Sequence, residues 1–349
     1  MIPFASLPLS ANLAVFSVLA VAIWLAGTRL SYLADAIGDN TGIGRALMGL
    51  LFLAGITELP ELVTTVTASV KGDAALALNN MFGGIVMQTA VLAVADAFVV
   101  HAVLTAFPRK PTPILEGVLL ILFLTAILGI ISVGEIALID GIGLGTILLA
   151  GAYVFSIFVL QRYDKNHAWR PVDLPEPKVD KPRSRHQKSF YALSLRTLVL
   201  HSVAAAVVIL VCGVMLVETA QTIADQSALG SGFIGVTLLA ASTSLPELST
   251  TIAAVRLGAY TMAISNIFGS NLIMVLVLFP ADIFYRQGEI LHQADDTAQL
   301  ALLSGIFVTA IYVIGLLMKR KPRILGMGVD SVLVLAVYLA SLYAFYSAR

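Results

Sequence analysis

An all-helical membrane protein of ten spans, arranged as two inverted five-helix repeats, is the fold this 349-residue chain predicts. Three observations predict it. The chain is 58% hydrophobic and only 12% charged, whereas soluble domains carry about 25% charged residues. The stretch from Thr57 to Gly83 returns as Thr243 to Gly269, at a constant offset of 186 residues and with 13 of 27 positions identical. Each half carries five apolar segments, an odd number, so the second copy must enter the bilayer upside down relative to the first.

About 20 apolar residues cross a bilayer. On that scale the spans read, in order, as 12–33, 43–70, 74–100, 112–132, 137–160, 195–222, 231–256, 259–283, 297–318 and 325–346. The first has no basic residue ahead of it between Met1 and Leu13, so it reads as a retained span and not a signal peptide. The second and seventh are long and carry Pro60 and Pro246 in their interiors, which implies a break or a tilt. The fifth and tenth match each other, Asp140 with Asp330 and Tyr153 with Tyr343. Between the fifth and sixth lies the one long polar stretch, rich in Pro, Lys and Arg. The chain therefore divides into a first repeat (1–161), a linker (162–192) and a second repeat (193–349).

Positive charge sets orientation, because Lys and Arg are retained on the cytoplasmic side. Alternating the ten spans puts 18 of the 21 basic residues on one side. Only Lys71, Arg286 and Arg349 fall opposite. The linker is thus expected in the cytoplasm, and both termini across the membrane from it. The net charge is zero, so no basic field suggests nucleic acid. The lone Cys212 has no partner for a disulfide and reads as a small packing residue. Walker A, His-Glu-x-x-His and Gly-x-Ser-x-Gly motifs are missing, which removes the parts of an ATP-driven pump or a hydrolase.

The chemistry lies in the duplicated motif, Thr57-Glu58-Leu59-Pro60-Glu61 and Thr243-Ser244-Leu245-Pro246-Glu247. Each proline lacks an N–H and crowds the carbonyl four residues back, freeing oxygens at Ile56 and Ser242. Such oxygens are tolerated at membrane depth only where protein, water or an ion satisfies them. The hydroxyls of Thr57, Thr243 and Ser244 and the carboxylates of Glu61 and Glu247 add to them, and hard cations take this set of oxygens. Glu58 places a second carboxylate on the same helical face as Glu61. Two acids this close resist joint ionisation unless a cation or a proton sits with them. Ca²⁺, Na⁺ and H⁺ all remain open as occupants. Intramembrane acids are costly and point to function; the plainer reading is a pair of protonated, hydrogen-bonded core residues.

At these residues the chain resembles the sodium/calcium exchanger membrane region of the cation:calcium antiporter superfamily. The second copy carries the family pattern as Ser242-Thr243-Ser244-Leu245-Pro246-Glu247, Ser265-Asn266 and Gly269-Ser270-Asn271. The first carries it less closely, as Gly55-Ile56-Thr57-Glu58-Leu59-Pro60-Glu61, Asn79-Asn80 and Gly83-Gly84. The resemblance implies that Glu61 and Glu247 are the central Ca²⁺ ligands. It implies that Thr57, Thr243, Ser244 and Ser270 supply hydroxyls, and that the carbonyls of Ala54 and Ala240 serve Na⁺. Four positions depart from the pattern. Gln88 and Met274 stand where the family has Asn or Asp, Gly84 replaces a serine, and Glu58 replaces another. Gln88 still offers an amide oxygen, whereas Met274, a soft thioether, reads as packing.

The expected function is secondary antiport of cations, Na⁺ or H⁺ against Ca²⁺, with no resident cofactor. Na⁺, K⁺ or another divalent exchanged against H⁺ is the alternative on the same fold, and a non-transporting cation sensor or partner-binding subunit is a second. Partners are small inorganic cations and the lipid bilayer. The remaining polar residues read as structural. Asn80, Asn266, Gly83 and Gly269 suit close helix packing. Thr64, Thr65, Thr250 and Thr251 suit bonds back to their own helix. His201 suits an interfacial role. Glu116, Glu135, Asp140, Glu218, Asp225 and Asp330 fall near span ends, where water is expected to reach them.

Overall fold

The computed structural model describes residues 4–41, 57–97, 103–108, 111–138, 141–165, 193–256, 260–319 and 322–348. Within them the chain forms eleven helices. They are α1 (Leu9–Thr41), α2 (Leu59–Val70), α3 (Ala74–Asp96), α4 (Thr112–Val133) and α5 (Leu144–Lys165), then α6 (Leu195–Ser227), α7 (Ser231–Thr243), α8 (Leu245–Arg256), α9 (Tyr260–Phe284), α10 (Asp296–Met318) and α11 (Val329–Ala348). Eight of these, all but α2, α7 and α8, are long and apolar enough to cross a membrane. The expected seventh span is a broken one, α7 and α8 separated by the single turn residue Ser244. The expected second span is described from Thr57 onward.

Local chemistry accounts for where the helices begin and end. Pro60 sits in the first turn of α2, where its missing N–H costs nothing. Asp73 caps α3 by accepting from the Leu76 amide at 2.9 Å, Ser194 caps α6 from Thr197 at 3.2 Å, and Asp295 caps α10 from Ala298 at 2.7 Å. Two starts are corrected. α5 begins at Leu144 and not near 137, because Gly134 and Gly141 turn with positive φ and a bridge pairs Ala137 with Gly143. α11 begins at Val329 and not near 325, because Arg323–Ile324 (β1) and Met327–Gly328 (β2) form a small hairpin around Gly326.

The helices sort into a polar centre and an apolar periphery. The most apolar window of α3 is 89% buried and that of α9 is 72%, against 22% for α6 and α11. A buried helix is free to carry polar groups, and α3 holds Asn79, Asn80, Gln88, Thr89 and Asp96 with none of their side chains exposed. α1 and α6 pack along each other and turn Leu25, Val199, Leu200 and Val203 outward, as lipid contact requires.

Glycines set the close approaches. A Cβ on Gly83 would lie 2.7 Å from the backbone of Val236 in the π-helical turn Gly235–Leu239 of α7, so α3 and α7 meet backbone to backbone. Gly27 of α1 lets in the ring of Pro246, whose Cγ lies 2.7 Å from the position a Cβ would take; its counterpart Gly213 of α6 lets in Val63 at 2.8 Å. Each long outer helix thus rests a glycine on the Pro-Glu helix of the opposite repeat.

The two ends of the bundle are fastened by the same device, used twice. Asp96, closing α3, accepts from the Leu104 amide at 2.5 Å and from the Gly328 amide of the other repeat at 2.7 Å. Asp282, near the end of α9, accepts from the Ile290 amide at 2.8 Å and from the Gly143 amide of the other repeat at 2.8 Å. Thr146 donates to Asp282 at 2.7 Å, and Thr105 donates to the neighbouring Asp330 at 2.7 Å. Two acids expected within reach of water are buried: Glu116 at 0% and Asp330 at 4% exposure. For Asp330 the cause is the hairpin, which folds it onto Thr105. Asp140 lies outside the described residues.

Candidate functional site

Glu58, Glu61 and Glu247 lie at 1%, 0% and 0% exposure in the centre of the bundle. Glu61 and Glu247 come from the first turns of α2 and α8, the inverted copies of one motif. Glu58 immediately precedes α2. The Glu247 carboxylate lies within electrostatic reach of Glu61 and, less strongly, of Glu58, and Glu58 lies within reach of Glu61. The one ion pair among the described residues, Lys71 with Glu218 at 3.2 Å, is at a surface elsewhere. No base among them is paired with these three acids.

Hydroxyls and an amide surround the carboxylates. Ser244 donates to Glu61 Oε1 across the repeat interface at 3.4 Å. Gln88 Nε2 donates to Glu58 Oε1 at 3.4 Å, and Gln88 and Thr243 also border Glu61. Ser270 borders Glu58, and Thr57 borders Glu247. Several acceptor oxygens have no hydrogen-bond donor: Glu58 Oε2, Glu61 Oε2, both oxygens of Glu247, and Gln88 Oε1. A buried carboxylate without a partner costs several kcal/mol. A cluster of such oxygens suits a cation or protons.

Of the residues the sequence nominated, the structure brings together Glu58, Glu61, Glu247, Thr57, Thr243, Ser244, Ser270 and Gln88. Ala240 lies in α7 above Thr243. Its carbonyl accepts from the Ser244 amide at 3.1 Å and from the Thr243 hydroxyl at 3.2 Å, so it is held within the helix. Ala54 lies outside the described residues. Among the described residues, no group of three His, Cys, Asp or Glu side chains is arranged to hold a metal ion alone. A bound cation would need the mixed donors, two carboxylates with hydroxyl and amide oxygens. Ca²⁺ takes six to eight such ligands at about 2.3–2.6 Å.

The flanking polar residues hold the site helices in place. Asn80 donates to Thr64 and Thr65 at 3.2 Å each, tying α3 to α2. Asn266 donates to Thr250 at 3.3 Å, tying α9 to α8 in the same way. Thr64 and Thr250 each bond back to the carbonyl of the motif proline, at 2.8 and 3.0 Å. Both roles agree with the sequence reading. That reading did not single out Asp96 and Asp282, although the 186-residue offset relates them, and Leu104 and Ile290 as well.

Two Pro-Glu helices, one from each repeat, bury Glu61 and Glu247 among more apolar helices. The sodium/calcium exchanger protein family model matches residues 11–160 and 197–347. The chain belongs to that family.

Among curated relatives, the inner membrane protein YrbG of Escherichia coli (strain K12) is 27% identical over 325 residues, covering 90% of this chain and 91% of its own. The putative antiporter CaxA of Alkalimonas amylolytica is 25% identical over 336 residues, covering 94% and 96%. The crystal structure of the H⁺/Ca²⁺ exchanger CAX shares the fold, with a TM-score of 0.63 at 15% identity over 97% of this chain and 89% of that one.

Proposed function

We propose that the protein exchanges Ca²⁺ for Na⁺ or H⁺ by alternating access, with Glu61 and Glu247 holding the cation between the repeats. One observation carries the reading. Two acids from opposite halves are buried within electrostatic reach of each other, with no base paired to them among the described residues, and three of their four carboxylate oxygens lack a hydrogen-bond donor there. A divalent cation would neutralise the pair and use those oxygens. Glu58 supplies a third negative charge beside them, which a coupling ion or a proton would balance. The sequence family and the antiporter name of one relative agree with transport, as against sensing.

On the same reading, 1–161 and 193–349 are the two repeats and 162–192 is a cytoplasmic linker, with both termini on the opposite side. Two ring contacts support that arrangement. Phe107 stacks on Tyr260 at 4.0 Å at one end of the bundle, while Phe233 meets Tyr346, near the C-terminus, at the other.

The test uses purified protein in liposomes. ⁴⁵Ca²⁺ movement should follow an imposed Na⁺ or pH gradient, and E61Q or E247Q should abolish it. Movement driven by neither gradient, or unchanged in both variants, would overturn the proposal. A Na⁺ gradient that is ineffective while a pH gradient drives flux would assign the proton as the coupling ion.

A further inference from the structure

α1 and α6 enclose a groove on the outer face of the bundle. Its volume is about 870 Å³, within the range of about 300–1,000 Å³ that ligand sites occupy. Most of its wall is apolar. Leu25 and Ala26 come from α1, and Ala204, Ala205 and Val208 from α6. Three of these five are alanines, whose side chains stop at Cβ and leave the depth of the groove unfilled. Leu25, Ala204 and Val208 are exposed, so the groove opens sideways toward lipid tails.

One end of the groove is polar, lined by Thr28, Arg29, Tyr32 and His201. Arg29 is exposed there. Thr28 Oγ1 and His201 Nδ1 are buried and have no hydrogen-bond partner among the described residues. A hydroxyl and an imidazole nitrogen without partners, beside a guanidinium, make a set of donors for an anion. The duplication does not account for this end. At the offset of 186 the mates of Thr28, Arg29 and His201 are Val214, Met215 and Val15. The mate of Tyr32 is Glu218, which pairs with Lys71. The opposite end of the α1–α6 pair thus presents apolar side chains and an acid at the related positions.

An anion with an apolar body matches both parts of the groove. A soluble anion would leave the apolar wall uncovered, and a zwitterionic lipid would bring its own cation toward Arg29. We propose that the groove binds one anionic phospholipid, its phosphate held by Arg29, His201 and Thr28 and one acyl chain laid against Ala26, Ala204 and Ala205. On the orientation proposed above, the polar end lies in the cytoplasmic leaflet, where anionic lipids concentrate. The site shares no residue with Glu58, Glu61 and Glu247, and it is independent of which ions are exchanged.

Native mass spectrometry of the purified full chain, titrated with phosphatidylglycerol or with phosphatidylcholine of the same acyl chains, tests it. The wild type should take up one phosphatidylglycerol about tenfold more tightly than phosphatidylcholine. R29Q and H201A should each weaken phosphatidylglycerol binding by about tenfold, since each removes a donor to a charged group, and leave phosphatidylcholine unchanged. R196Q removes an exposed charge of α6 that lies outside the groove, and it should change either affinity by less than about twofold, because an exposed charge is screened. A204W fills the groove from an exposed position and should remove the tight phosphatidylglycerol. Melting without added lipid checks that each variant is folded, and R29Q and A204W alter exposed positions that folding tolerates. Equal affinity for the two lipids, wild-type affinity in both R29Q and H201A, or a loss in R196Q as large as in R29Q would overturn the proposal. So would an A204W variant that keeps the tight lipid, or one that instead breaks a dimer, which would assign the groove to a second copy of the chain.

Discussion

Asp96 and Asp282 perform one task at opposite ends of the bundle: each accepts from the amide eight residues ahead and from a glycine amide of the other repeat. α4 runs from the Leu104 end to the Gly143 end, so the two clamps lie a membrane thickness apart. Each one ties a buried site helix to the hairpin or loop that opens the last helix of the other half. Replacing either Asp by Ala orphans two buried amides at about 1–3 kcal/mol apiece. D96A and D282A should therefore each lower the unfolding temperature in detergent by several degrees, and D96N and D282N by less. Unchanged melting in both Ala variants would show that the clamps contribute nothing.

Glu135, in the loop before α5, gives a pH dependence of defined sign. Partial burial pushes its carboxyl up to about 6, and the carboxylates of Asp282 and Glu289 add to the push, against the amides of Thr146 and Gly145. A group with a raised folded value holds its proton more tightly in the folded state. Its contribution is present below the unfolded value near 4.5 and is lost as pH rises through about 6. Stability should therefore increase as pH falls from 7 to 5, and E135Q should flatten that slope. The effect is reduced because the side chain is half exposed to water.

Gly27 and Gly213 predict a kinetic effect. A Cβ at either would press on Pro246 or Val63, which belong to the helices that carry Glu247 and Glu61. G27V and G213V should slow ⁴⁵Ca²⁺ exchange in liposomes while equilibrium Ca²⁺ binding in detergent changes little. Exchange at the wild-type rate in both would show that these contacts stay fixed through the cycle.

Asn80 and Asn266 predict an asymmetry. Asn80 reaches two threonines and Asn266 one. Interhelical hydrogen bonds in membranes are worth about 0.6 kcal/mol each. N80A should cost about twice as much as N266A in detergent unfolding, and equal costs would contradict the count.

The paired Pro60-Glu61 and Pro246-Glu247 were legible in the sequence because a proline and an acid inside apolar segments violate two local rules at once. The offset of 186 with an odd number of spans per half gave the inverted architecture, the motif itself nominated Glu58, Glu61, Glu247, Thr57, Thr243 and Ser244, and the family resemblance added Ser270 and Gln88. Span limits were less legible. Leu144 and Val329 start their helices only because glycine turns precede them, and hydropathy does not register a turn. Asp96, Asp282 and Asp330 look like ordinary water-exposed acids at span ends, and only tertiary contact with Gly328, Gly143 and Thr105 buries them. The packing of the Met274 methyl 2.7 Å from where a Cβ on Gly84 would lie was invisible as well. Each stands out in the sequence only as a departure from the family pattern, and their complementarity exists only where α3 and α9 face each other.

On the antiport reading proposed above, the three buried acids Glu58, Glu61 and Glu247 also bear on how tightly the two fluxes would be tied. A carrier returning idle would have to drag bare negative charge through a layer of oil, an electrostatic barrier of several kcal/mol for each acid. Loading with cargo or counter-ion lifts that barrier. Traffic in one direction would thus oblige traffic in the other, and slippage would be opposed by the charge of the site itself.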